Sequence, residues 1–313
     1  MISLITNHTA VIAYELVKKL QKQKINGKPP MTGSEMLCVV IAALCHDLGH
    51  GPFSHLCEEL FIQEDGTHFT HEQMSTILFD KMLQDFPQIK LQLDKHFTDY
   101  HYALIKDLIN PPASFPETSN AWSLKIGPEK AFLYAIVNNP ISGLDVDKLE
   151  YLFRDSKRSG IINLSSENIE RFIQKIRICL TPDGKYNWLA FPDSDSENIR
   201  TIFDARKKLH STVYSHKNVL AINEMFVQAF KLAGPHLKFE YGGKEVTLKQ
   251  CFSKEYLDLY IRLVDDYLTT LIKFTTSDHP DMIKARQLIQ NVENRHFSKA
   301  ILSFEGLNQH VSY

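Results

Sequence analysis

Cys45-His46-Asp47-Leu48-Gly49-His50-Gly51-Pro52-Phe53-Ser54-His55 is the stretch on which the reading of this chain turns. It sets a histidine and an aspartate side by side, with two more histidines close behind. Imidazole nitrogen beside carboxylate oxygen is a donor set for divalent metals. The further histidines can carry protons near neutral pH. A lone His-Asp pair would read as a capping aspartate beside a core histidine. The glycine-rich continuation with its extra imidazoles argues instead for metal-dependent hydrolytic chemistry.

The run before it, with Leu37, Val39, Val40, Ile41 and Leu44 all apolar, reads as a helix buried nearly all round, capped by Ser34. It should end near Leu48-Gly49, because Gly51-Pro52 cannot continue it. Neighbouring helical residues point about 100° apart, so His46 and Asp47 need ligands from elsewhere in the fold.

Working outward, most segments have helical spacing. Val11, Ile12, Leu16, Val17 and Leu20 mark a helix over 8–22, ended by Asn26-Gly27 and Pro29-Pro30. Thr70 is placed to cap a helix beginning His71-Glu72-Gln73, and Asp145 to cap one after Gly143. Residues 110–129 read as an exposed loop. Residues 176–191 read as a hairpin about Pro182-Asp183-Gly184, and 237–248 as a second one turning at Gly242-Gly243. A long helix is expected from Asp193-Ser194-Asp195-Ser196 through Lys217, with further helices from Lys254 to near Phe297. The fold class is mainly α with two small β-hairpins, and no boundary divides 1–313.

Composition sets broad limits. The 313 residues are 43% hydrophobic and 23% charged, an ordinary globular mixture. A formal net charge of -2 argues neither for nor against a polyanionic partner. The five cysteines, Cys38, Cys45, Cys57, Cys179 and Cys251, form no CxxC pair and suggest a reducing compartment, the nucleus or cytoplasm. No run reaches the roughly 18 apolar residues of a membrane span, and no secretory signal is recognisable.

Three further constellations carry chemistry. Asp147, Tyr151 and Asp155 are spaced to share a helix face, with Lys148 at its edge. Two carboxylates and a phenol suit a metal ligand beside a sugar hydroxyl. Arg206, His210, Tyr214 and Lys217 would line one side of a continuous helix, with His216 adjacent, and such cations hold phosphate oxygens. The blander reading of either face is a solvated helix surface. His68 and His71, with Glu72, stand at a helix start, where negative charge is favoured and an imidazole could protonate a leaving oxygen. His96 and His101 have no such setting and read as surface residues.

In this order the motifs resemble the HD-domain deoxynucleoside triphosphate triphosphohydrolases, closest to the animal members that join a sterile-alpha-motif domain to an HD domain. The anchors are LCHDLGHGPFSH at 44–55, THEQ at 70–73, GLDVDKLEYLFRD at 143–155 and RKKLHSTVYSHK at 206–217. The resemblance implies an HD-type helical fold. It matches His8, His46, Asp47 and Asp147 to metal ligands, and His50, His55, His71 and Glu72 to catalytic groups. It matches Lys148, Tyr151, Asp155, Arg206, His210, Tyr214, His216 and Lys217 to substrate contacts, with a tyrosine rejecting a 2′-hydroxyl. Arg177, Asn198, Arg295 and Lys299 correspond to allosteric nucleotide positions.

The implied reaction is hydrolysis of a dNTP to deoxynucleoside and triphosphate, which lowers cellular dNTP levels and is linked to antiviral defence. It implies Zn, Fe or Mn at the HD site and Mg on the triphosphate. Implied partners are dNTP or GTP effectors, a homotetramer and single-stranded nucleic acid, with no membrane. The chain departs from the pattern at Ile5, where the family usually has arginine, and at Pro192 and Ser194, where basic residues are expected. Measured against the family it reads as one HD-type catalytic domain shortened at both ends. That shortening and Ile5 motivate a second reading, a non-catalytic nucleotide-binding, nucleic-acid-binding or oligomer-partner module; a third, an HD phosphodiesterase acting on another nucleotide, is disfavoured by the sugar-reading Tyr151 and Asp155.

Overall fold

Thr32-Gly33-Ser34-Glu35 begins the helix that carries the metal motif. Thr32 rather than Ser34 is the cap: its hydroxyl accepts the Glu35 amide at 3.1 Å, and the Glu35 carboxylate accepts the Thr32 amide at 2.7 Å. This reciprocal box satisfies two amides that the first helical turn leaves over. Ser34 instead donates to the His96 carbonyl at 3.0 Å.

The structure, a computed structural model, describes residues 2–58, 70–115, 126–162 and 166–297, except for the side chains of 2–7 and 166–168. Among them the helices run α1 (Ile2–Leu20), α2 (Gly33–Cys45), α3 (His55–Glu58), α4 (His71–Asp85), α5 (Pro87–Leu93), α6 (Asp99–Ile109), α7 (Tyr134–Val137), α8 (Val146–Ser159) and α9 (Ser166–Lys175). Strands β1 (Arg177–Leu180) and β2 (Asn187–Ala190) follow, then α10 (Ser196–Leu209) and α11 (Lys217–Ala233). Strands β3 (Lys238–Tyr241) and β4 (Lys244–Thr247) precede α12 (Leu257–Tyr260), α13 (Asp265–Phe274) and α14 (Pro280–Glu293). The fold is therefore mainly helical with two antiparallel hairpins, as expected. Their registers pair Arg177 with Ala190 and Lys238 with Thr247. Gly242 and Gly243 take positive φ at the second turn, which L side chains resist.

The described residues group into two units, those of 2–50 with 70–209, and those of 51–58 with 210–297. In the first, α1 packs on α2 and α8, α2 on α6, and α8 on α10. Leu16, Val17 and Leu20 of α1, Val39 and Ala42 of α2, and Leu104 and Ile105 of α6 are fully or almost fully buried there. A buried ion pair braces this core: Lys130 donates to Glu35 at 2.7 Å, and Tyr100 adds a hydroxyl at 3.1 Å. In the second unit, α11 packs on α14 and α13 on α14, around Phe230, Ala233, Ile272, Met282 and Ile289.

Three expectations need correction. The helix expected from 193 through Lys217 is interrupted: α10 stops at Leu209, residues 210–214 wind as a π-turn, and α11 begins at Lys217 with His216 as its cap. Periodicity misses this because the π-turn, closed by the i to i+5 bond from Ser215 N to His210 O at 2.8 Å, has no composition signal, and the backbone turns extended only at His216. The helix before the metal motif ends at Cys45 with His46 at its C-cap, and turns carry 46–49. Finally, the segment expected as loop ends in a 3-10 helix, Pro128–Leu133, whose Ala131, Phe132 and Leu133 are buried; residues 116–125 lie outside the described residues.

Candidate metal centre

The end of α2 positions the first ligand. His46 is buried, and its Nδ1 faces the Ala43 carbonyl at 2.8 Å. A carbonyl only accepts, so Nδ1 carries the proton and Nε2 is left to bind something else. That nitrogen looks onto two carboxylates, Asp147 Oδ1 at 3.2 Å and Asp47 Oδ1 at 3.3 Å. Asp147 arrives from the first turn of α8, which begins where Asp145 caps it by accepting the Lys148 amide at 2.8 Å.

A lone pair aimed between two anions requires a positive charge, either a proton or a metal ion. Without metal it is the proton. Burial opposes charge on His46, yet the hydrogen bond it donates to Asp147 and the charges of the two carboxylates outweigh it and raise its pKa to about 9. Burial likewise works against the Asp147 carboxylate, but His46 and the nearby cations hold its pKa below the usual range. One donor atom each from His46, Asp47 and Asp147 lies within 4.8 Å of the others. The donor chemistry and the carbonyl lock on Nδ1 both suit a divalent metal.

The loop after the motif is fixed by close packing on α4. The Ser75 hydroxyl donates to the His46 carbonyl at 2.5 Å and accepts the Gly49 amide at 2.7 Å. A Cβ on Gly49 would sit 2.0 Å from the His71 carbonyl oxygen. His50 stacks on His71 with ring centroids 3.9 Å apart, and its Nε2 stands 3.6 Å from Asp47 Oδ1. His71 opens α4, whose cap is Thr70 as expected, and its Nε2 lies 3.4 Å from Glu72. Two imidazoles are thereby stacked beside the cluster of His46, Asp47 and Asp147.

The other expected residues are distributed as follows. His8 is not in the trio: its exposed ring lies 3.7 Å from Glu150, a buried carboxylate of α8 that also pairs with Arg154 at 2.9 Å. Burial pushes the Glu150 pKa up despite these cations. Along α8, the Lys148 ammonium pairs with Asp145 at 3.0 Å and Asp155 with Arg154 at 3.0 Å. Arg206 of α10 donates to the Tyr151 hydroxyl at 3.3 Å, bringing two expected substrate residues together. Arg177 donates to the Gln174 carbonyl at 2.7 Å, and Asn198 to Asp195 at 2.9 Å.

In the second unit His55 pairs with Glu58 at 3.2 Å. His210 and Tyr214 meet edge to face at 5.0 Å, His216 accepts the Asn218 amide at 3.2 Å, and Arg295 is exposed with a positive φ. α10 passes at His210 into the π-turn, which ends at Tyr214, so Lys217 stands at the start of a separate helix and not on the single continuous helix that was expected. His68 and Lys299 lie outside the described residues. Sequence reasoning missed Ser75 and Glu150. Ser75 had no signal at all. Glu150 falls in the same helix as Asp147, but among many surface carboxylates nothing marked it as buried.

Residues 6–111 match the HD domain. Such a domain implies a divalent metal. The chain is also similar to the deoxynucleoside triphosphate triphosphohydrolase SAMHD1 of Homo sapiens, 32% identical over 273 residues, which cover 85% of this chain and 42% of the relative. The enzyme of that name from Xenopus laevis is 33% identical over 85% of this chain and 43% of its own length. A SAMHD1 homolog of Dictyostelium discoideum is 30% identical over 87% and 45%. The chain thus spans less than half the length of these relatives. None of the described helices is long and apolar enough to cross a membrane.

Proposed function

We propose that this chain hydrolyses deoxynucleoside triphosphates to deoxynucleoside and triphosphate, using a divalent metal at His46, Asp47 and Asp147. The observation that carries the proposal is the His46 Nε2 lone pair aimed at two carboxylates beside the stacked His50 and His71 rings. The names of the similar proteins supply the substrate class.

When bound, the metal would neutralise phosphate charge and lower the pKa of water. The remaining work falls to the chain. His71, at the start of α4, would give the departing 5′-oxygen its proton as water adds to the α-phosphorus, with Glu72 orienting the ring. Arg206 and Lys148 offer cations for phosphate oxygens, Lys148 by exchanging Asp145 for substrate. Tyr151, held by Arg206, and Asp155 would read the sugar. The roles of His8, His55, His210, Tyr214, His216 and Lys217 rest on the resemblance of sequence alone. So do nucleotide effectors at Arg177, Asn198, Arg295 and Lys299, a tetramer and nucleic-acid binding. Zn, Fe or Mn suits the imidazole–carboxylate donors, with Mg on the triphosphate. Free cysteines, four of the five buried, suit the nucleus or cytoplasm.

The test is incubation of the purified chain with dGTP and Mg²⁺ or Mn²⁺, with GTP and a cyclic nucleotide in parallel. Tripolyphosphate should appear from dGTP alone, and the His46→Ala/Asp47→Ala variant should release none. Undiminished release by that variant would refute the assignment.

A further inference from the structure

The second unit contains another cluster of metal-binding side chains, remote in sequence from the HD motif. His236 follows the C-terminus of α11, His279 caps α14, and Asp281 lies in the first turn of α14. One donor atom from each lies within 4.8 Å of the others. The geometry points to a second divalent-metal site here, a His-His-Asp clip for a transition ion such as zinc that joins the exit of α11 to the start of α14. None of the three residues falls within the matched HD domain, 6–111.

Each ligand stands on backbone that is already fixed. The His236 amide donates to the Ala233 carbonyl at 3.0 Å, and the next amide, Leu237, donates to the same oxygen at 2.9 Å. At α14, the Ile283 amide donates to the His279 carbonyl at 3.0 Å, closing the first turn. The two helices pack against each other through buried residues, so the ligands are not on wandering loops.

His236 Nε2 lies 3.2 Å from Asp281 Oδ2. Two ligands bound at roughly 2.0–2.2 Å with tetrahedral angles stand about 3.3–3.6 Å apart, so this pair is already close to the edge of a coordination shell. His279 Nδ1 is 3.6 Å from the same carboxylate oxygen and also accepts the Asp281 amide at 3.2 Å. The cap bond uses the same Nδ1 lone pair, so an ion bound there would take the place of the Asp281 amide.

The two imidazoles lie face to face with centroids 3.9 Å apart and planes 34° apart. Two protonated rings so close would repel each other, whereas two neutral rings can share one ion. The site is only partly enclosed: the side chains of His236, His279 and Asp281 are 25%, 47% and 46% exposed. An ion can enter, and water can complete its shell. Two imidazoles favour zinc, nickel or copper over magnesium or calcium, which prefer all-oxygen shells.

Zinc is the probe. The full-length chain and its His236→Ala/His279→Ala variant are equilibrated with zinc, desalted and assayed for metal. The double variant should hold one equivalent less than the unsubstituted chain, whatever the loading of the HD centre. The second comparison uses the His46→Ala/Asp47→Ala chain, which should still take up zinc and melt a few degrees higher with it; adding His236→Ala/His279→Ala should remove both effects. Equal zinc content in the first pair would overturn the inference. So would a zinc-induced rise in melting temperature that survives loss of both histidines. If His236 and Asp281 are merely a hydrogen-bonded staple, removing the histidines lowers stability without changing zinc content, which also counts against the site.

Discussion

At the residue scale, the metal centre depends on two features of backbone contact rather than on the ligands alone. The Ala43 carbonyl selects the tautomer of His46, and so decides which nitrogen meets Asp47 and Asp147. Gly49 lets the following loop lie directly on α4. An added methyl there would stand 2.0 Å from the His71 carbonyl oxygen and 2.4 Å from the Ser75 amide, and backbone atoms cannot step aside. Gly49→Ala should therefore destabilise the fold by about 3 kcal/mol, at the upper end of overpacking costs. It should also separate Ser75 from the His46 carbonyl and lower bound metal. A urea midpoint and a metal assay on the same sample check both effects; wild-type values in both would show that the close approach is unimportant.

At the element scale, caps and breaks set where chemistry is presented. Thr32 caps the helix that ends in His46, so Thr32→Ala should cost about 1 kcal/mol. Ser34→Ala should cost less, because Ser34 only bonds the His96 carbonyl across an exposed contact. Chemical denaturation of the two variants orders them, and a larger loss for Ser34→Ala would reverse the assignment. The caps at Thr70 and Asp145 and both hairpins were legible in the sequence, since each depends on residues within a few positions. The π-turn at 210–214 was not, because it leaves no local composition signal and the stripe of Arg206, His210, Tyr214 and Lys217 reads as unbroken helix.

At the scale of the whole molecule, stability and metal loading are linked through one proton. In the metal-free chain the His46 pKa is raised to about 9, against about 6.5 for an unperturbed imidazole. A group whose folded pKa lies above its unfolded one stabilises fully below the lower value and loses that contribution as pH rises through the upper one. The chelator-treated chain should thus lose melting temperature between about pH 6.5 and 9. Metal competes for the same nitrogen, so its affinity should fall about tenfold per pH unit below about 9. Thermal melts across that range, with and without metal, test the linkage. A metal-free melting temperature that stays flat or rises over the interval would contradict it.

The sequence by itself determined the fold class, most caps, both hairpins and the identity of the His46-Asp47 pair. These follow from periodicity, turn residues and donor types that lie close together along the chain. It also singled out Asp147, from helix spacing and from the resemblance, but not its distance from His46. Only the tertiary structure decided which groups meet. It joins Asp147 to His46 across 101 positions, stacks His71 on His50, sets Ser75 under the motif, and pairs His8 with Glu150. It likewise gathers His236, His279 and Asp281, whose sequence positions carry no common signal. The reason is physical: a side chain's chemistry is written in its own residue, whereas its neighbours depend on how buried helix faces pack.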